Sequence, residues 1–155
     1  MKNKIVIPIL IFAFLFCGCS SDGQSEALGK TLFELLNASP KTSKDKIKAL
    51  FISLKELKTP SKTELTESSQ KEFDKFTEEN IASLTQEGES EHIVWNEITY
   101  VKTVAQSVKE NGIELNIIDV YFDHGVRNYV LKLIAMPHEK QLKIIRIVGI
   151  NYAEE

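Results

Sequence analysis

Apolar residues along this chain keep two rhythms. Between Ser25 and Leu84 they recur every three or four positions, whereas from His92 onward they alternate or run together with a high share of β-branched residues. The first rhythm lines one stripe of a helix and the second lines the face of a strand. Leu28, Leu32, Leu35 and Leu36 predict a helix over about 25–37, ended by Ser39-Pro40. Ile47, Leu50, Phe51, Leu54 and Leu57 predict a second over about 43–57, stopped by Thr59-Pro60. Ser61-Lys62-Thr63-Glu64 reads as a capping box, in which serine hydroxyl and glutamate carboxylate each satisfy a helix-terminal amide. Leu65, Phe73, Phe76, Ile81 and Leu84 then give the inner face of a third helical segment, interrupted at Ser68-Ser69.

The second rhythm predicts strands over about 92–108, 113–122, 126–136 and 142–150. Asn111-Gly112, Asp123-His124-Gly125 and Pro137-His138-Glu139-Lys140 separate them, and loops this short join antiparallel neighbours. Taking Asp123-His124-Gly125 as a three-residue loop with glycine in the left-handed position sets Phe122 opposite Val126. That register puts Leu115 against Leu133, Ile117 against Leu131, Asp119 against Tyr129 and Tyr121 against Arg127. One sheet face is then apolar at one end and polar at the other.

On the last strand, Arg146 alternates with Leu142, Ile144, Val148 and Ile150, so a charge lies on an apolar face. A half-buried arginine requires a partner, and Asp119 is the candidate. Asp119, Tyr121, Arg127, Tyr129 and Arg146 therefore form a candidate group with two readings. They are the polar end of a small-ligand pocket, with Asp119 as a base, or a structural ion pair. Trp95 and Tyr100 suit either an exposed contact patch or core packing.

Ahead of the periodic region stands a different pattern. Lys2 and Lys4 precede an apolar run from Ile5 to Phe16, which is the organisation of a secretory signal. Twelve residues are too few to cross a ~30 Å hydrocarbon core as a helix, which needs about 20. The run ends in Phe16-Cys17-Gly18-Cys19, which resembles the lipobox of bacterial lipoproteins, although phenylalanine stands where leucine is usual. The resemblance implies that Cys19 is acylated on sulfur and that the chain is cut in front of it. Cys17, preceded by bulky Phe16, does not fit the lipidated position. The implied division is a signal over 1–18, a lipidated tether over 19–25, flexible by composition, and a single domain over 26–155.

Composition narrows the partners. Removing Lys2 and Lys4 leaves 17 basic against 22 acidic side chains, a formal charge of −5. A mildly acidic chain without a basic stripe is no nucleic-acid binder, since that affinity comes from neutralising phosphates. Attachment to the bacterial cell membrane is expected through lipid on Cys19, with the domain facing the periplasm or the cell exterior.

Helices followed by a long antiparallel meander predict an α+β fold with the helices on one sheet face. The order of elements over 25–150 resembles the NTF2-like, or cystatin-like, small lipoproteins, whose helices pack into the concavity of a curved four-stranded sheet. Enzymes of that family place an acid, histidine or tyrosine inside the cone, and the position matching by environment is Asp119.

Other chemistry is excluded by spacing. Gly23 and Gly29-Lys30-Thr31 have five residues between the glycines where a P-loop needs four, and no strand precedes them. His92, His124 and His138 lack companion ligands at metal-binding spacing and are expected on the surface, two of them in turns. No cofactor and no metal is expected. Three function classes remain: a lipid-anchored, non-enzymatic module binding another envelope protein or a small ligand; a small NTF2-like enzyme using Asp119; and an immunity or exclusion-type lipoprotein that blocks a partner.

Overall fold

The computed structural model describes residues 20–57 and 66–153. Cys19, the signal segment and the Ser61–Glu64 capping box lie outside them. The elements are α1 (Ser20–Ala38), α2 (Lys44–Leu50), α3 (Glu67–Ser90), a 3-10 turn at Trp95–Glu97, and strands β1 (Thr99–Glu110), β2 (Ile113–His124), β3 (Arg127–His138) and β4 (Gln141–Tyr152). The strands form one antiparallel meander in the order β1-β2-β3-β4. This is the expected α+β architecture.

Leu32 and Leu36 of α1 and Ile81 and Leu84 of α3 bury against Ile118, Leu131, Leu133 and Ile144 of the sheet. Each such side chain removed from water contributes about 1.5–3 kcal/mol, so this single layer of contacts dominates stability. The direction of α1 is fixed by its contacts. Gln24 Nε2 donates to the Lys140 carbonyl at 3.2 Å, a Cβ on Gly29 would meet Thr103, Phe33 packs on Tyr100, and Asn37 Nδ2 donates to the Ile98 carbonyl. The helix thus runs along β1 in the opposite sense, starting at the β3–β4 turn.

Two helices differ from the periodicity. The expected flexible tether over 19–25 is, from Ser20, the first turns of α1, with Ser25 buried. Extending a formed helix costs little per residue, and Gln24 and Ser25 both gain contacts there. The second helix ends at Leu50 rather than Leu57. Phe51 turns extended, and the Ile52 amide donates to the Ile144 carbonyl at 2.9 Å, pairing parallel with the outer edge of β4. The following turn is closed by a reciprocal box: the Ser53 amide donates to Glu56 Oε2 at 2.7 Å while the Glu56 amide donates to Ser53 Oγ. The bond from the Ser53 amide holds the Glu56 carboxyl below its ordinary range.

Helix α3 is continuous. Thr66 caps it by accepting from the Ser69 amide at 3.2 Å, so the Ser68-Ser69 pair lies in its first turn and does not break it. It passes through Gly88 and ends in a Schellman motif, His92 occupying the left-handed position (φ 57°) while the Ile93 amide donates to the Gly88 carbonyl. Gly88 is required by proximity, because a Cβ there would lie 2.2 Å from the Trp95 ring.

Alanine normally gains about 1 kcal/mol over glycine inside a helix. Gly23→Ala in α1, where a Cβ meets nothing, should therefore hold or raise the melting temperature. Gly88→Ala should lower it, since forcing Trp95 aside costs about 1–3 kcal/mol. Equal stabilisation by both substitutions in thermal melts contradicts this packing.

Candidate functional site

The face away from the helices is built by alternation along β2 and β3. Asn116, Ile118, Val120 and Phe122 point to the helices and are buried, so Leu115, Ile117, Asp119 and Tyr121 point outward and are half-buried. On β3, Tyr129, Leu131, Leu133 and Ala135 are buried, leaving Val130, Lys132, Ile134 and Met136 outward. Val104 of β1 and Val148 of β4 extend the surface and are 48% and 45% exposed. A solvated sheet face is normally polar. On its two central strands this one is mainly apolar.

Register explains how the candidate residues are distributed. Gly125 is the first central residue of a two-residue turn (φ 63°), with His124 opposite Arg127. That is type II′ geometry, whose first position takes glycine. Compared with a three-residue loop the pairing moves by three positions, an odd number, so one strand's faces exchange relative to the other. Ile117 pairs with Ile134, Asp119 with Lys132, Tyr121 with Val130 and Phe122 with Tyr129. The expected pairing of Asp119 with Tyr129 and of Tyr121 with Arg127 is corrected accordingly.

The five candidates therefore separate. Asp119 and Tyr121 share the outer face. Asp119 Oδ1 stands 3.7 Å from Lys132 Nζ and is itself buried without a hydrogen-bond partner, while Lys102 Nζ lies 4.9 Å above the Tyr121 ring. Tyr129 is buried on the helix side, stacked on Phe122 at 5.5 Å. Arg127 is exposed; its Nη1 donates to the Tyr152 hydroxyl, which donates to Glu91 at the end of α3. That last bond raises the Tyr152 phenol above its ordinary range.

Arg146 is also exposed, opposite Ile134, two strands from Asp119. Strict alternation fails because β4 carries two bulges, with Ile145 and Val148 as the extra residues. The bulges turn Ile147 inward and Arg146 outward. The expected Asp119–Arg146 pair is replaced by Asp119–Lys132, and among the described residues Arg146 makes no ion pair.

Trp95 and Tyr100 are core-packing residues. Trp95 lies over Gly88 and against Phe122, and Tyr100 packs on Phe33. His124 and His138 sit at strand ends, with side chains only 19% and 18% exposed; His124 Nε2 accepts from the Val94 amide and His138 Nε2 lies 3.4 Å from Glu56. Among the described residues no His/Cys/Asp/Glu cluster could hold a metal. Open clefts of about 410 and 340 Å³ lie at Asn37, Pro40, Glu89 and Trp95, and at Gln24, Leu50, Gln141 and Lys143. Asp119 lines neither. Comparison with protein-family models, curated proteins and solved structures finds no match to this chain.

The side chains sequence reasoning missed are Val130, Ile134 and Met136. Their signal was present: the run Tyr129-Val130-Leu131-Lys132-Leu133-Ile134-Ala135-Met136 is apolar on both alternating faces but for Lys132, the pattern of a strand covered on both sides.

An ion pair that, like this one, stays partly exposed on both side chains contributes about 0.2–1 kcal/mol. In dilute protein, Asp119→Ala should change unfolding free energy by no more than about 1 kcal/mol. Arg146→Met should stay within about 0.5 kcal/mol. A loss near 3 kcal/mol for Asp119→Ala, as from a broken buried pair, contradicts the geometry.

Proposed function

We propose that this chain is a lipid-anchored protein of the bacterial cell envelope that acts by binding, through the outer face of its sheet. The observation that carries the reading is the row of outward apolar residues on the two central strands, Ile117, Ile134 and Met136, which none of the described helices covers. Contiguous outward apolar residues are a feature of contact surfaces. The anchor rests on Phe16-Cys17-Gly18-Cys19 after the apolar run. Because α1 begins at Ser20, acyl chains on Cys19 would hold the domain directly against the bilayer, with the start of α1 and the β3–β4 turn nearest the surface. No described helix is long and apolar enough to cross a membrane.

The NTF2-like reading of the fold is supported by the helices-then-meander order and the bulged strands. The enzyme reading of that resemblance draws no support from Asp119. Its carboxylate lies on the face away from the helices, beside Lys132, and not in an enclosed cavity.

The test combines both halves of the proposal. The full chain carries a photo-cross-linking residue at Ile117, on the face, or at Lys71, on the exposed side of α3. Irradiated in the envelope, the Ile117 probe should give a discrete protein adduct and the Lys71 probe none. Cys19→Ser should release the chain from membranes, whereas Cys17→Ser should not. Equal adducts at both positions overturn the face; equal membrane retention of wild type and Cys19→Ser overturns the anchor.

A further inference from the structure

We propose that the outer sheet face is covered by a second copy of this chain, the two sheets stacked face to face about a two-fold axis running along the strands between β2 and β3. The inference rests on reading that face as the interaction surface and names its partner. Three features point to self-association.

The first is charge. β2 and β3 are the central strands, and Asp119 and Lys132 occupy the same row on them. A two-fold axis along the strands lays β2 of one copy over β3 of the other at the same height. Asp119 then meets the second copy's Lys132, and Lys132 meets its Asp119. Ile117 likewise falls on Ile134, and Tyr121 on Val130. Each row is its own complement, and the buried Asp119 Oδ1 without a hydrogen-bond partner gains a facing ammonium. A closed two-fold contact requires this self-complementarity.

The second is area. Four strands of 12 residues, at ~3.3 Å per residue and ~4.8 Å between strands, make a face of about 750 Å². That is near the ~800 Å² per partner of a stable interface. Sheets stacked in this way lie ~10 Å apart with strands nearly aligned, which the long matched strands permit.

The third is direction. α1 runs along β1, so the chain ahead of Ser20 leaves from one end of the sheet, at the β3–β4 turn. An axis along the strands puts both exits at the same end, where two anchors share one bilayer leaflet. An axis crossing the strands would send the exits to opposite ends and, centred on the Asp119–Lys132 row, would set Asp119 on Asp119 and Lys132 on Lys132. The bilayer itself is a poor occupant, because the strands rise from the anchor and their broad face stands upright from the surface.

The experiment uses the full chain, expressed with its signal and extracted from membranes in a non-ionic detergent, its protein mass measured by light scattering at micromolar concentration. Wild type should be dimeric. Asp119→Lys and Lys132→Asp should each halve the mass, since each puts like charges across the axis. Their equimolar mixture should recover the dimer, because every facing pair is then again of opposite sign. The double exchange Asp119→Lys with Lys132→Asp should dimerise alone, which keeps the test decisive if a single variant folds poorly. A monomeric wild type overturns the proposal, as do single variants that remain dimeric or a mixture that remains monomeric. If wild type is monomeric while the Ile117 probe captures a different envelope protein, the second copy is wrong and the interaction face stands. If that probe labels only lipid, both are wrong.

Discussion

The structure depends on a mismatch between the central strands and their cover. β2 and β3 are apolar on both faces, yet α1 and α3 lie on one. Burial of Ile118, Leu131 and Leu133 under the helices accounts for the fold. The outward row of Ile117, Ile134 and Met136 adds nothing to that core, and its apolar character has a cost in solubility that a monomeric domain avoids by placing polar residues there. A second layer resolves the mismatch.

The sheet edges are treated unequally, and this confines binding to the face. Along β4, the Ile52 amide bonds the Ile144 carbonyl, Asn80 Oδ1 accepts from the Ile147 amide, and Glu87 Oε2 accepts from the Ile150 amide. Asn80 and Glu87 are two turns apart on α3, so one helix seals the bulged half of the edge with side chains. Gly149, at φ 147°, leaves room for the Glu87 carboxylate. β1 keeps its outer edge, broken by a bulge at Val101 and carrying Lys102 and Lys109, two devices that discourage strand pairing.

Much of this was legible. Helical stripes and the Asn111-Gly112 turn located α1, α3, β2 and the second half of β1, because local periodicity and a left-handed dipeptide encode them directly; the strand expected from His92 starts at Thr99, since 92–98 close α3 and form the 3-10 turn. What was lost depended on tertiary events. Phe51 continues a helical stripe in sequence but, with Ile52, pairs with a strand more than ninety residues later. Gly125 serves as well at the end of a three-residue loop as at the start of a two-residue one, and that choice alone decided which residues Asp119 faces. The bulges that turn Arg146 outward leave no mark in an alternating pattern. Nothing local announced that His92 would take the left-handed cap position that glycine usually fills.

If Cys19 carries the proposed anchor, the sheet would stand upright on the membrane, confining partner search to two dimensions and presenting its apolar face sideways, to neighbours in the same leaflet. The central claim is that this face is covered in the working protein. Met136 reports on it directly, being half-buried on the outer face and, apart from the initiator Met1, the one other methionine in the sequence. The decisive measurement is its rate of oxidation to the sulfoxide by a dilute soluble oxidant, in intact envelopes and in highly diluted isolated protein. Coverage predicts oxidation several-fold slower in the envelope; equal rates in the two settings would contradict it.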